Sequence, residues 1–268
     1  MFQLLFKSLL GGMGASRVVE TLARTGGFGV QVTRRRLLET FQHFMEVIED
    51  LDSVKPGGKG FVSTVRVRLL HASVRRRVLE LEKERPGYFD VQKLGIPIND
   101  LHSIGTICVY SCSLIWLALP RQGVHLSEQQ QADFLALWRW IGYLLGTPVD
   151  WMTTPSKAKA MMESVMTSEL DPSANSKILA NNILTAESHV PPLYASREYL
   201  VAQAYRLNGD VLAQGLGIQR PTLYFKAVVL LQCAVLFCLG HGYALLPKYM
   251  QEKRDTVSCF MHAMGSYV

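Results

Sequence analysis

Residues 64–78 read TVRVRLLHASVRRRV. No Gly or Pro interrupts the stretch, and its apolar residues recur at helical rather than alternating spacing. Val67, Leu70, Val74, Val78 and Leu81 follow the i, i+3, i+7 pattern of one core-facing stripe, which predicts a helix from about Thr64 to Glu84. Arg85-Pro86-Gly87 stops it, and Lys55-Pro-Gly-Gly-Lys-Gly60 reads as the loop before it. His71 falls inside the stripe. Arg68 stands three residues before it and Arg75 four after, so both sit one turn away on the same side. A histidine on an apolar face is most often a core residue bonded to a backbone carbonyl. Two guanidiniums beside the same face open a second reading, because a buried unpaired charge is costly and needs an acidic partner. Haem supplies an apolar macrocycle, an iron that accepts an imidazole nitrogen, and two propionates that pair with arginine. Ordinary ion pairing with Asp or Glu of another helix is the alternative for Arg68 and Arg75.

The same period extends in both directions. Thr33 is the expected N-cap of a helix over 33–52, in which Leu37, Phe41, Phe44, Ile48 and Leu51 share one stripe. Asn99 or Asp100 caps a helix over about 103–119. Ser127 caps another that ends at Gly146-Thr-Pro148, and further helices are expected over about 154–170 and 196–212. No alternating strand pattern and no internal repeat is visible. Long helices with short loops predict an all-α protein, a single large helical domain. Residues 1–15 form an apolar N-terminal helix at a membrane surface or in the core, and residues 16–268 form the main domain. Ala227–Leu246 is apolar and of spanning length, but Gln232, Gly240, His241 and Gly242 interrupt it, so an interfacial or core helix is the favoured reading.

Composition narrows the class. Of 268 residues, 49% are hydrophobic and 19% charged, which excludes a disordered chain and leaves apolar surplus for a pocket or a membrane contact. The net charge of +6 lies in the first third, yet no basic run interleaved with aromatics is present, so no nucleic-acid partner is expected. The odd cysteine count, with Cys108, Cys112, Cys233 and Cys238 in apolar runs, points to buried thiols in a reducing, intracellular setting. GxSxG and GxGxxG are absent, and no HxxxH or HExxH marks a histidine cluster.

RVRLLHASVR, residues 66–75, resembles the signature of the family of rubber oxygenase and the endoplasmic-reticulum-bound mycophenolate-pathway oxygenase. Upstream, Glu20, Arg36 and Thr40 match a family glutamate, arginine and threonine in identity and spacing. Downstream, GIPINDL at 95–101 and LWRWIGYLLGTP at 137–148 resemble its fungal branch, so the similarity covers about residues 15–250. The resemblance implies an all-helical fold, a non-covalent haem b ligated by His71, and oxidative cleavage of a carbon–carbon double bond by dioxygen. The expected partners are a hydrophobic, unsaturated, isoprenoid-like molecule and dioxygen, with an endoplasmic-reticulum membrane surface as the site of association. Arg36 and Thr40 would offer hydrogen bonds over an apolar pocket, Glu20 would remove an allylic proton, and Arg68 and Arg75 would hold the haem.

The chain departs from rubber oxygenase just before the threonine. Glu39 stands where that relative has a lysine able to occupy the iron, so the gating inferred for that relative is not carried over. From the residues alone, the favoured readings are Glu20 as a surface carboxylate and Arg36 with Thr40 as a solvated helix edge, while a structural ion pair suffices to explain Arg139 of the LWRWIG motif. His43, three residues after Thr40, is expected to be partly exposed. A non-haem enzyme with His71 as base or metal ligand, and a catalytically silent lipid-binding protein, are the competing functions.

Overall fold

The computed structural model describes residues 8–26, 28–191 and 194–244, with backbone alone over 240–244. Among these, every regular element is helical. An isolated bridge joins Ala15 to Leu170. The elements are α1 (Ser16–Arg24), α2 (Val30–Ile48), α3 (Lys59–Glu84), α4 (Val91–Leu94), α5 (Asp100–Tyr110), α6 (Glu128–Leu145), α7 (Pro155–Glu169), α8 (Ala174–Glu187), α9 (Arg197–Asn208), α10 (Asp210–Gly215) and α11 (Leu223–Ala244). A π-helical turn over Leu114–Ala118, short 3-10 turns over Pro120–Gln122 and Asp150–Met152, and a helical segment whose described part is 8–12 are also present.

Side-chain caps set many of the starts. Asn99 accepts from the His102 N–H, Ser127 forms a reciprocal capping box with Gln130, and Thr154, Ser173 and Ser196 cap α7, α8 and α9. Thr33 is not the cap of α2. The helix starts three residues earlier, after Gly29, and Thr33 is fully buried with its hydroxyl bonded back to the Gly29 carbonyl at 2.8 Å. Likewise α3 begins at Lys59, inside the expected loop, because Ser53 Oγ receives the Gly60 N–H at 3.0 Å and closes the turn.

Two apolar clusters form the core, and α2 belongs to both. Phe44 and Val47 pack with the α5, α6 and α7 side chains Ile107, Leu135, Trp138, Ile141 and Met162. Leu37, on the other half of α2, packs with Leu10, Val19, Leu179, Ile183 and Leu200. Phe41 touches both clusters. Leu10 and Met13 are buried, so the described end of the N-terminal apolar segment is a core element, and residues 1–7 lie outside the described residues.

Residues 100–122 are long and apolar enough to cross a membrane. Ile107, Cys108, Cys112, Leu114, Ile115 and Ala118 are nevertheless buried against α6 and α7, which makes the stretch a core helix. α11 runs over Leu223–Ala244, its side chains are described up to Leu239, and 245 and 246 lie outside the described residues. Val229 of α11 is buried, and Gln232 bonds Gln203 of α9 at 3.0 Å. Leu223, Leu230, Leu231 and Leu239 face outward. The cysteines do not all share one environment. Cys108 and Cys112 are buried, but Cys238 is exposed, because it stands on the open face of α11. Cys259 lies outside the described residues.

Candidate functional site

α2 and α3 run side by side and place most of the candidate residues. Their closest approach is at Gly60, where an added Cβ would stand 2.7 Å from the Glu46 carbonyl oxygen and 3.0 Å from the Val47 Cα. One turn further along α3, Ser63 Oγ donates to the Gly60 carbonyl at 3.2 Å and meets His43 Nδ1 of α2 at 2.9 Å. The single serine proton serves either the Gly60 carbonyl or His43 Nδ1, and which of the two it takes sets the tautomer of His43. Burial pushes the pKa of His43 down to about 4; Glu46 opposes this and the nearby His71 adds to it.

His71 lies two turns beyond Ser63. Burial, and then Arg75, lowers its pKa, so the ring is neutral. Neither nitrogen has a hydrogen-bond partner among the described residues. The expected core stripe around it is corrected. Val78 is buried, but Leu70 is 45% exposed, and Val67, Val74 and Leu81 are only half-buried. The reason is that α2 and α6 flank α3 without fully covering this face, so among the described residues His71 and its apolar neighbours are only partly covered.

Arg68 and Arg75 bracket the histidine and tie α3 to two neighbours. Arg68 Nη1 donates to the Leu144 carbonyl at 3.1 Å, and its guanidinium lies against Gly146 at the end of α6. Arg75 Nε donates to the Pro97 carbonyl at 3.1 Å, and its Nη2 to the Ile98 carbonyl. Ile98 has φ of 53°, a strained conformation for a β-branched residue, and this arginine holds the turn. Neither arginine pairs with a carboxylate among the described residues, so the ordinary ion-pair alternative is set aside.

On α2, Arg36 Nη1 pairs with Glu39 at 3.2 Å, and Arg35 joins the same carboxylate at 2.8 Å. The Thr40 hydroxyl donates to the Arg36 carbonyl at 2.9 Å. Glu20, on α1, accepts from Asn175 Nδ2 of α8 at 2.9 Å and is half-buried. α8 packs on both α1 and α2, so it is the element through which Glu20 and the Arg36–Thr40 edge are held in one body. Asn175 and the His43–Ser63 pair went unseen in the sequence reading. The Ser173 cap was a usable signal for α8, but the asparagines at 175, 181 and 182 weaken its helical pattern.

Arg139 has no ion pair or hydrogen bond among the described residues, which overturns its reading as half of a structural ion pair. Its side chain is exposed and lines a cavity together with the 149–155 segment.

Haem can be tested against these residues. A haem iron asks the protein for one nitrogen, and His71 offers a neutral, unpartnered ring beside apolar side chains. Arg68 spends one of its five N–H donors and Arg75 two, so each keeps donors for a propionate. The donor set fits the group. No three His, Cys, Asp or Glu side chains gather into a multi-ligand metal site among the described residues.

Residues 2–235 match the family model described as "ER-bound oxygenase mpaB/B'/Rubber oxygenase, catalytic domain". Among solved structures the fold is similar to that of "Latex Clearing Protein LCP in the closed state", with a TM-score of 0.66 at 17% sequence identity. The superposition covers 91% of this chain and 65% of that one, so this chain spans just under two thirds of the length of the protein it matches. No curated protein matches the sequence. At that identity the structural likeness speaks for the all-α fold, while the family match covers most of the chain: this protein belongs to the mpaB/B′ and rubber oxygenase catalytic-domain family.

Proposed function

We propose that the protein is a haem b-dependent oxygenase that cleaves or oxidises a carbon–carbon double bond of a hydrophobic, isoprenoid-like substrate. The observation that carries this reading is the His71 ring, neutral and without a hydrogen-bond partner, set among apolar side chains between two arginines with spare donors. His71 would ligate the iron, and Arg68 and Arg75 would hold the propionates. When bound, haem supplies the redox chemistry that activates dioxygen toward the alkene.

The side chains of this chain then have defined work. The Asn175 amide fixes one oxygen of Glu20 and leaves the other free to take a proton from carbon. Arg36 keeps donors beyond the one it gives Glu39 and would use them to orient polar atoms of a bound substrate. Thr40 has committed its proton to the Arg36 carbonyl, so it presents a lone pair until its hydroxyl rotates. Glu39, where rubber oxygenase has a lysine, is shared by Arg35 and Arg36, so it would hold the Arg36 side chain in place and would not act as that lysine does. The outward apolar face of α11 suits association with a membrane surface, from which such a substrate would partition.

The test follows oxygen into product. Supplied with an unsaturated isoprenoid hydrocarbon and isotopically labelled dioxygen, the protein should consume oxygen and place the label in new carbonyl groups. Glu20→Gln should lower turnover by about 10²–10⁴ while haem content is retained. Unlabelled carbonyls, or full turnover in the variant, would count against the reading.

A further inference from the structure

A cavity of about 420 Å³ opens between α6 and the 149–155 segment. No lining residue comes from the helices that carry Glu20, Arg36, Thr40 or His71. Its floor is apolar, formed by the buried Leu135 and Met152. Trp140 and Tyr143 form an aromatic wall, their rings stacked with centroids 5.5 Å apart and planes 22° from parallel. The Trp140 indole N–H is bonded to the Val54 carbonyl at 2.9 Å, which fixes that ring in place. At the rim stands Arg139.

The charges single out one kind of occupant. Among the described residues, Arg139 is the one charged side chain in the lining, and no carboxylate lines the cavity to neutralise it. A planar guanidinium matches a carboxylate in bidentate geometry, and the apolar floor and aromatic wall match a hydrocarbon body. The volume lies in the range of small-molecule sites. A neutral lipid would leave the guanidinium unused, and a bare inorganic anion would leave the apolar floor wet. Arg139 and Trp140 are both part of the LWRWIG motif, which the oxygenase reading does not otherwise employ.

We propose that this cavity is a binding site for a medium-chain carboxylate, its head on Arg139 and its tail against Leu135, Met152 and the Trp140–Tyr143 stack. The site is separate from the His71 face, so it stands whether or not the oxygenase reading does.

Calorimetric titration of the full chain with octanoate, octan-1-ol and acetate tests it. Octanoate should bind saturably with one site, and at least tenfold more tightly than either other compound. Arg139→Gln should weaken octanoate about tenfold and leave octan-1-ol unchanged, and Arg139→Lys should fall between, because ammonium lacks the bidentate fork. Ala136→Trp, which fills the groove, should abolish octanoate binding while Arg139 remains. Circular dichroism of each variant separates lost binding from lost fold. Absence of saturable octanoate binding, equal binding of octanoate and octan-1-ol, or unchanged binding in Arg139→Gln would each overturn the proposal. Equal binding of acetate would reduce the site to a simple anion contact and overturn it too.

Discussion

His43 shows how one residue is fixed by neighbours that the sequence does not juxtapose. Its Nδ1 shares a hydrogen bond with Ser63, and burial makes protonation costly, so its pKa falls from an ordinary 6.5 to about 4. In the unfolded chain the same imidazole takes a proton near pH 6.5. Between those values the unfolded state binds more protons, so stability is complete above about pH 6.5 and is lost as pH falls toward 4. The expected loss is on the order of 3 kcal/mol. Thermal melts of the haem-free protein from pH 7 to pH 4 should show this decline, and His43→Gln should reduce it, the remainder coming from His71 and His102, whose pKa values burial also lowers. An equal decline in the variant would place the titrating group elsewhere. Glu20 makes a similar point. Its partner Asn175 lies 155 positions away, so the residue reads as a surface acid until α8 is set beside α1.

At the level of elements, the contact between α2 and α3 organises the site. Gly60 permits it, since the backbone of α2 stands where a side chain would be. Gly60→Ala must push the helices apart or bend one, and should cost about 1–3 kcal/mol. A fall in the denaturant midpoint with an unchanged slope would register this, whereas an unchanged midpoint would show that the approach is not needed. Sequence periodicity captured much at this scale. Ser127, Asn99 and Thr154 act as caps, and α3, α6, α7 and α9 lie within a few residues of their expected spans, because capping and 3.6-residue spacing are local signals. α8 escaped because asparagines interrupt its pattern. The stripe of α3 was legible as apolar but not as open, since periodicity records which residues share a face and not what covers it. Arg68 and Arg75 were legible as a pair around His71, but their carbonyl partners at 144 and 97–98 depend on tertiary placement.

On the scale of the molecule, two apolar clusters share α2, and the last helix presents an open apolar face. Leu231 is 66% exposed on that face, so Leu231→Glu should change stability by no more than about 0.5 kcal/mol. It should nonetheless reduce flotation of the protein with lipid vesicles, and unchanged flotation would assign membrane contact to another surface. The central claim concerns His71 and is tested most directly by the visible absorption spectrum of the purified protein, oxidised and reduced, beside that of His71→Ala. The account predicts a Soret band in the wild type that disappears in the variant while the helical circular dichroism stays the same. A wild type without a Soret band after expression with added haem, or a variant that keeps it unchanged, would contradict the assignment.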